Sequence, residues 1–256
     1  MDAVLQWIIP PDLSLWSTVI LILTAGLTSA LTAALGIGGG VLLLAVMSML
    51  LPVTAVIPLH GLVQLGSNGN RAAMTFQYIR WPVLGWFVPG VIIGAGLASL
   101  VLIDLPPVLL QLSIAGFILL LSWGPTIPKV ATGAVGTFCL ALLSTFISHF
   151  VGATGPLVAA FLLQQQQGQR QATVATFAAA MALQHAPKAL VYTAAGFVFY
   201  EWLGLVVLMI LSGALGTKLG LNVLKNTSDQ RFAKLFKGIL LLLALRLIWQ
   251  AISQMQ

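Results

Sequence analysis

Residues 13–51 read LSLWSTVILILTAGLTSALTAALGIGGGVLLLAVMSMLL, without one charged side chain. An apolar run of about 20 residues is the length that spans a bilayer as a helix. Here such a run meets the break Gly36-Ile37-Gly38-Gly39-Gly40 and then a second run too short to cross alone. The stretch therefore predicts a spanning helix, a glycine break, and a segment that is either a short span or the returning half of a re-entrant hairpin.

The rest of the chain continues the pattern. Of its residues 59% are hydrophobic and 6% charged, and mean hydropathy is +1.05. A soluble domain carries about 25% charged residues, so this chain cannot clothe a globule in water, and the lipid bilayer is its natural surrounding. One cysteine, Cys139, excludes an internal disulfide framework and a cysteine metal cluster. No cofactor motif is visible. The first basic residue is Arg71, so no basic leader of a secretory signal precedes the first apolar run. Net charge is +6, but the positives fall mostly between spans, which points to membrane orientation rather than nucleic acid.

Apolar runs and their breaks predict ten segments: 13–34, 38–51, 53–78, 81–103, 106–123, 130–149, 153–164, 171–195, 199–221 and 235–254. Arg80, Lys129, Arg170 and the group Lys225, Arg231, Lys234, Lys237 fall in alternate connections, which are thereby assigned to the cytoplasm. Asp2, Asp12, Asp104 and Glu201 fall on the other side, so both termini are expected outside. Trp16, Trp81, Trp123, Trp202 and Trp249 sit near segment ends, where aromatic anchors belong. The glutamine-rich stretch 164–171 reads as a short polar loop.

The chain also resembles itself. Gly36 and Gly39 match Gly152 and Gly155, Asn68 and Arg71 match His185 and Lys188, and Gly85 and Gly94 match Gly204 and Gly213, with small drifts of the kind loop insertions produce. Each half, 1–124 and 125–256, holds five segments. An odd number forces the halves to run in opposite directions. The expected fold is an all-α polytopic membrane protein of two inverted-topology repeats. Each repeat has a glycine-broken helix or re-entrant hairpin plus three spanning helices, an architecture of secondary transporters.

Three basic residues, Arg71, Lys188 and Arg246, fall inside apolar segments, and Lys218 lies near a segment end where it can snorkel. A charge at the bilayer centre costs about 2.5–3.5 kcal/mol on insertion scales, so it faces a cavity or a partner. Arg246 has no counterpart in the repeat and reads as snorkelling. His60, Gln64, Asn68 and Arg71 form one polar stripe at helical spacing; Gln184, His185, Lys188 and Tyr192 form another. With no acidic side chain inside the spans, a small anion completes Arg71 and Lys188. Backbone carbonyls or lipid headgroups are the competing partners. Gly38, Gly39, Gly40 and Gly155, with Thr154, would add N–H donors at two helix starts. Close helix packing is the competing role for those glycines. His149 and His185 are the proton-coupling candidates, the alternative being helix-bridging hydrogen bonds.

The Gly36–Gly40 break after a first span, the run Ser67-Asn68-Gly69-Asn70-Arg71 and the second break opening the C-terminal half resemble the TauE/SafE sulfite exporter family, from about Leu13 to Trp249. The second break, Gly152-Ala153-Thr154-Gly155-Pro156, departs from the usual glycine-rich pattern. The resemblance implies a bacterial or archaeal inner-membrane permease for sulfite, thiosulfate or an organosulfonate such as sulfoacetate. Export by alternating access around Arg71, Lys188, Asn68, His185, Gln64, Gln184 and the two breaks is the expectation, with a homo-oligomer as a further one. An anion channel is the first alternative. An intramembrane hydrolase using Ser148 or Thr154 is the second; it lacks an interior acid and any G-x-S-x-G or H-E-x-x-H motif.

Overall fold

The structure is a computed structural model. It describes residues 7–35, 38–101, 106–123, 133–165 and 170–223, with isolated positions in the last segment. The described residues are helical, without strands. Among the described residues, nine α-helices with defined bounds follow one another: α1 (Leu15–Leu35), α2 (Gly39–Leu50), α3 (Val53–Met74), α4 (Trp81–Val101), α5 (Pro107–Trp123), α6 (Ala134–Val151), α7 (Gly155–Gln165), α8 (Arg170–Ala194) and α9 (Leu203–Val223). They fall on the first nine predicted segments. The tenth segment, with Arg246, lies almost wholly outside the described residues, as do Gly36, Asp104, Lys129 and the basic group 225–237.

Among the described residues, four stretches are long and apolar enough to cross a bilayer: Leu15–Ala34 in α1, Trp81–Val101 in α4, Ala134–Val151 in α6 and Tyr200–Asn222, which contains α9. In α1 several polar side chains are tucked back into the helix. Thr18, Thr28 and Thr32 each donate to the carbonyl four residues earlier, which satisfies the hydroxyl without water. α3 and α8 are longer than a spanning minimum yet interrupted by polar residues, and they lie at the centre. α2 and α7 are only 12 and 11 residues long. At 1.5 Å per residue neither reaches the roughly 30 Å of a hydrocarbon core.

Packing pairs the two halves. α1 lies along α9, α4 along α6, and α3 along α8. The first two pairs are parallel. Gly26 faces Ser212 while Ala30 faces Gly220, and Gly90 faces Ala141 while Gly94 faces Thr145. A Cβ on Gly220 or Gly94 would strike a backbone carbonyl of the partner, of Ala30 and Leu142 respectively, so these glycines let the helix backbones touch. The central pair is antiparallel. His60 meets His185, whereas Arg80, past the end of α3, donates its N–H to Thr176 near the start of α8.

Two apolar clusters hold the assembly. One joins Leu44, Met47, Leu59 and Val63 to Leu205 and Met209; the other joins Phe87 and Ala141 to Phe161, Leu162 and Phe177. Trp16, Trp81 and Trp249 are exposed, but Trp202 is not an anchor at the surface. It is 6% exposed and belongs to the first cluster, because its 3-10 turn (Tyr200–Trp202) folds it under α9. Lys218 is exposed.

Candidate functional site

α2 and α7 both begin in the interior. Gly38 (φ 104°) precedes α2 and Gly152 (φ 83°) follows α6, backbone angles that L side chains rarely adopt. α2 then leads to the start of α3 and α7 to the start of α8. Since α3 and α8 are antiparallel neighbours, the two short helices run from the centre toward opposite ends. No side chain caps α2. At the start of α7, Thr154 donates instead to Ser144 O and accepts from Gln184 Nε2. Helix starts of this kind present N–H groups that lack an intrahelical acceptor, with a partial positive charge.

Between these starts lies a cavity of about 30 Å³. A buried water needs roughly 10–15 Å³ on this measure, so the space suits a small solute. Gly38 and Gly40 line it from the first break, Thr32 from the last turn of α1, and Ala153, Gly155 and Pro156 from the second break. α3 contributes His60, Gln64 and Asn68; α8 contributes Phe177, Met181 and His185. Each set of three is spaced by four residues, so each is one helix face. The wall is polar on α3 and largely apolar on α8.

The α3 face is tied to the first break. His60 Nε2 lies 2.9 Å from the Gly40 carbonyl, and a Cβ on Gly40 would collide with the Gln64 amide. Asn68 donates to Gln64 through its amide and accepts from Arg71 Nη1 at 3.1 Å. The His60 and His185 rings sit edge to face, 5.7 Å between centroids.

Arg71 and Lys188 are both buried, at 1% and 0% exposure. They do not meet. Lys188 packs against Gly61 of α3, ten residues before Arg71, which puts about 15 Å along the helix axis between them. Neither is among the described residues lining the cavity. Lys188 Nζ donates to Gly152 O at 2.8 Å, just past the last turn of α6, where a cation complements the helix dipole. That is the carbonyl partner weighed against an anion. Arg71 Nε is buried without a hydrogen-bond partner. Among the described residues the carboxylates Asp12 and Glu201 are exposed, so none neutralises either cation inside.

The remaining candidates divide. Gly39 sits wedged on α1, where a Cβ would strike Thr28 O. Thr154 and Gln184 form a bracket behind the second break, Gln184 also donating to Ser144 O. His149 Nδ1 lies 2.8 Å from Thr145 O, its ring is stacked on Tyr192, and it is not among the lining residues. Ser148 and Thr154 donate to the carbonyls of Thr145 and Ser144 respectively, and neither is hydrogen-bonded to a histidine. Thr32, Val41, Ala153, Pro156, Phe177 and Met181 line the cavity without having been singled out. The fixed offset of 117 that carries Asn68 onto His185 also carries His60 onto Phe177 and Gln64 onto Met181, and would have found those two.

The profile of the family described as Sulfite exporter TauE/SafE matches residues 21–247. The chain belongs to the TauE/SafE family. It is thus a membrane protein of the sulfite-exporter transporter type, and the match spans every element that builds the cavity. No curated protein and no solved structure matches it significantly. In this TauE/SafE chain the cavity is where both glycine breaks and both central helices converge.

Proposed function

We propose that this protein carries a small sulfur oxyanion, with sulfite first among sulfite, thiosulfate and small organosulfonates, across the inner membrane of a bacterium or archaeon. The observation that carries the reading is the cavity itself, lined by the starts of two opposed short helices and by the two antiparallel central helices, with His60, Gln64, Asn68 and His185 as its polar side chains. N–H groups of α2 and α7 would hold the anion. His60, Gln64, Asn68 and His185 would orient it. Arg71 and Lys188, one beyond each side of the cavity, would supply fixed positive field rather than direct contacts.

The halves 1–124 and 125–256 act in this reading as inverted repeats, with α2 and α7 as returning arms of re-entrant hairpins and both termini outside. The exchange of α1·α9 for α6·α4, and the antiparallel crossing of α3 and α8, support that symmetry. Alternating access would then be a rocking of the halves about the cavity. Export fits the energetics. With the cytoplasm negative by about 100 mV, expelling one negative charge releases about 2.3 kcal/mol.

The test is transport in liposomes. Purified protein should take up labelled sulfite saturably and show counterflow, which a channel does not. Gln64→Leu should lower uptake at least tenfold, while chloride should compete poorly. Uptake no greater than in protein-free vesicles for every sulfur oxyanion tried would end this reading.

A further inference from the structure

The stacked chain of contacts on α3 fixes the chemistry of His60. Its Nε2 faces the Gly40 carbonyl at 2.9 Å, and a carbonyl only accepts, so Nε2 carries the hydrogen. Gln64 Nε2 lies farther from the same atom, at 3.3 Å, and would require the opposite role; the shorter carbonyl contact decides. In the neutral ring Nδ1 is then a lone pair. It is buried and has no hydrogen-bond partner, and Nδ1 of His185 across the cavity is likewise buried and unpartnered. Both residues line the space, with their ring centroids 5.7 Å apart. A buried acceptor left unpaired keeps the cost of its lost hydration.

An oxyanion alone does not answer His60 Nδ1, because lone pair would meet lone pair. One proton changes the sign. A protonated imidazole offers Nδ1–H as a charge-assisted donor to oxygen, and an O–H on the anion offers its hydrogen to Nδ1. The helix starts ask for an anion and the histidines ask for a proton.

We propose that His60 and His185 form a pair that takes up one proton together with each anion, so that anion and proton cross in the same step. This rests on the transport reading above and specifies its coupling. The proton either stays on the anion, as O–H···N, or leaves oxygen or water to form N–H on the ring. Release on the far side reverses the step, and no electrons change hands. Binding of each partner favours the other by linkage. The titratable groups around the pair are Arg71 from α3, His149 from α6, and Lys188 and Tyr192 from α8. α1, α2, α4 and α7 contribute none.

The experiment uses the full chain in liposomes with the membrane voltage clamped and the lumen one pH unit more alkaline than the bath. Labelled sulfite and labelled thiosulfate are offered separately, and protein-free vesicles are subtracted. One coupled proton raises accumulation about tenfold for one pH unit. A response with thiosulfate, which carries no proton near neutral pH, identifies a proton taken from water. A response with sulfite alone supports the pair only where the histidine variants lose it; kept in those variants, it is bisulfite crossing with its own proton and overturns the pair. His60→Gln and His185→Gln should lose the tenfold response. The wild-type thiosulfate arm decides even where a variant fails to assemble. Uptake that ignores the pH gradient, or Gln variants that keep the full response, overturns the pair while leaving transport intact. No uptake of either anion overturns the transport reading and the pair with it.

Discussion

Lys188 shows how a buried cation can be satisfied without a ligand. Its ammonium holds the Gly152 carbonyl, and its aliphatic stem lies on Gly61, where an added Cβ would come within 2.9 Å of Cδ and 3.1 Å of Cβ. Overpacking of this kind costs about 1–3 kcal/mol. Gly61→Ala should therefore lower the unfolding midpoint in detergent and slow sulfite uptake, because a shifted stem draws Nζ away from the second break. Lys188→Met should be destabilised by a similar amount, since it leaves the carbonyl unpaired. If both variants unfold and transport like wild type, Lys188 does not brace the break. The sequence announced Lys188 and Arg71 as interior cations, and both are buried. It could not announce the Gly152 carbonyl as partner, since a backbone group has no letter of its own.

At the scale of the helix, boundaries were written in the sequence by glycine and by apolar length. Gly38 and Gly152 mark the two breaks, and the short runs beyond them became α2 and α7. What was not written is which face each helix turns inward. Phe177 and Met181 line the cavity, yet apolar residues in an apolar chain carry no signal until α3 is laid against α8. The parallel seams are testable by a pair of substitutions on α4. A Cβ on Gly94 would lie 2.4 Å from Leu142 O, whereas one on Gly96 would meet nothing within 4 Å. Gly94→Ala should cost about 1–3 kcal/mol in reversible unfolding, and Gly96→Ala should stay within about 0.5 kcal/mol of wild type. Equal effects at both positions would mean that α4 and α6 do not touch as described.

For the whole molecule, composition alone forced a membrane protein, and the odd number of segments per half led to an expectation of inversion. The partnering of α1 with α9 and of α4 with α6 depends on long-range packing that no local pattern encodes. The same packing separates Arg71 from Lys188. Matched positions on antiparallel helices come together only near the crossing, and these two lie beyond it on either side. On the proposed transport reading, a solute in the cavity meets the helix starts and the polar side chains beside them, with the cations behind. The most direct measurement is a crystal structure of the protein soaked with selenite, an oxyanion of sulfite's shape whose selenium scatters anomalously. The account predicts one selenium peak between Gly38–Gly40 and Gly155–Pro156, beside His60 and His185. A peak at Arg71 or Lys188 with that cavity vacant would contradict it.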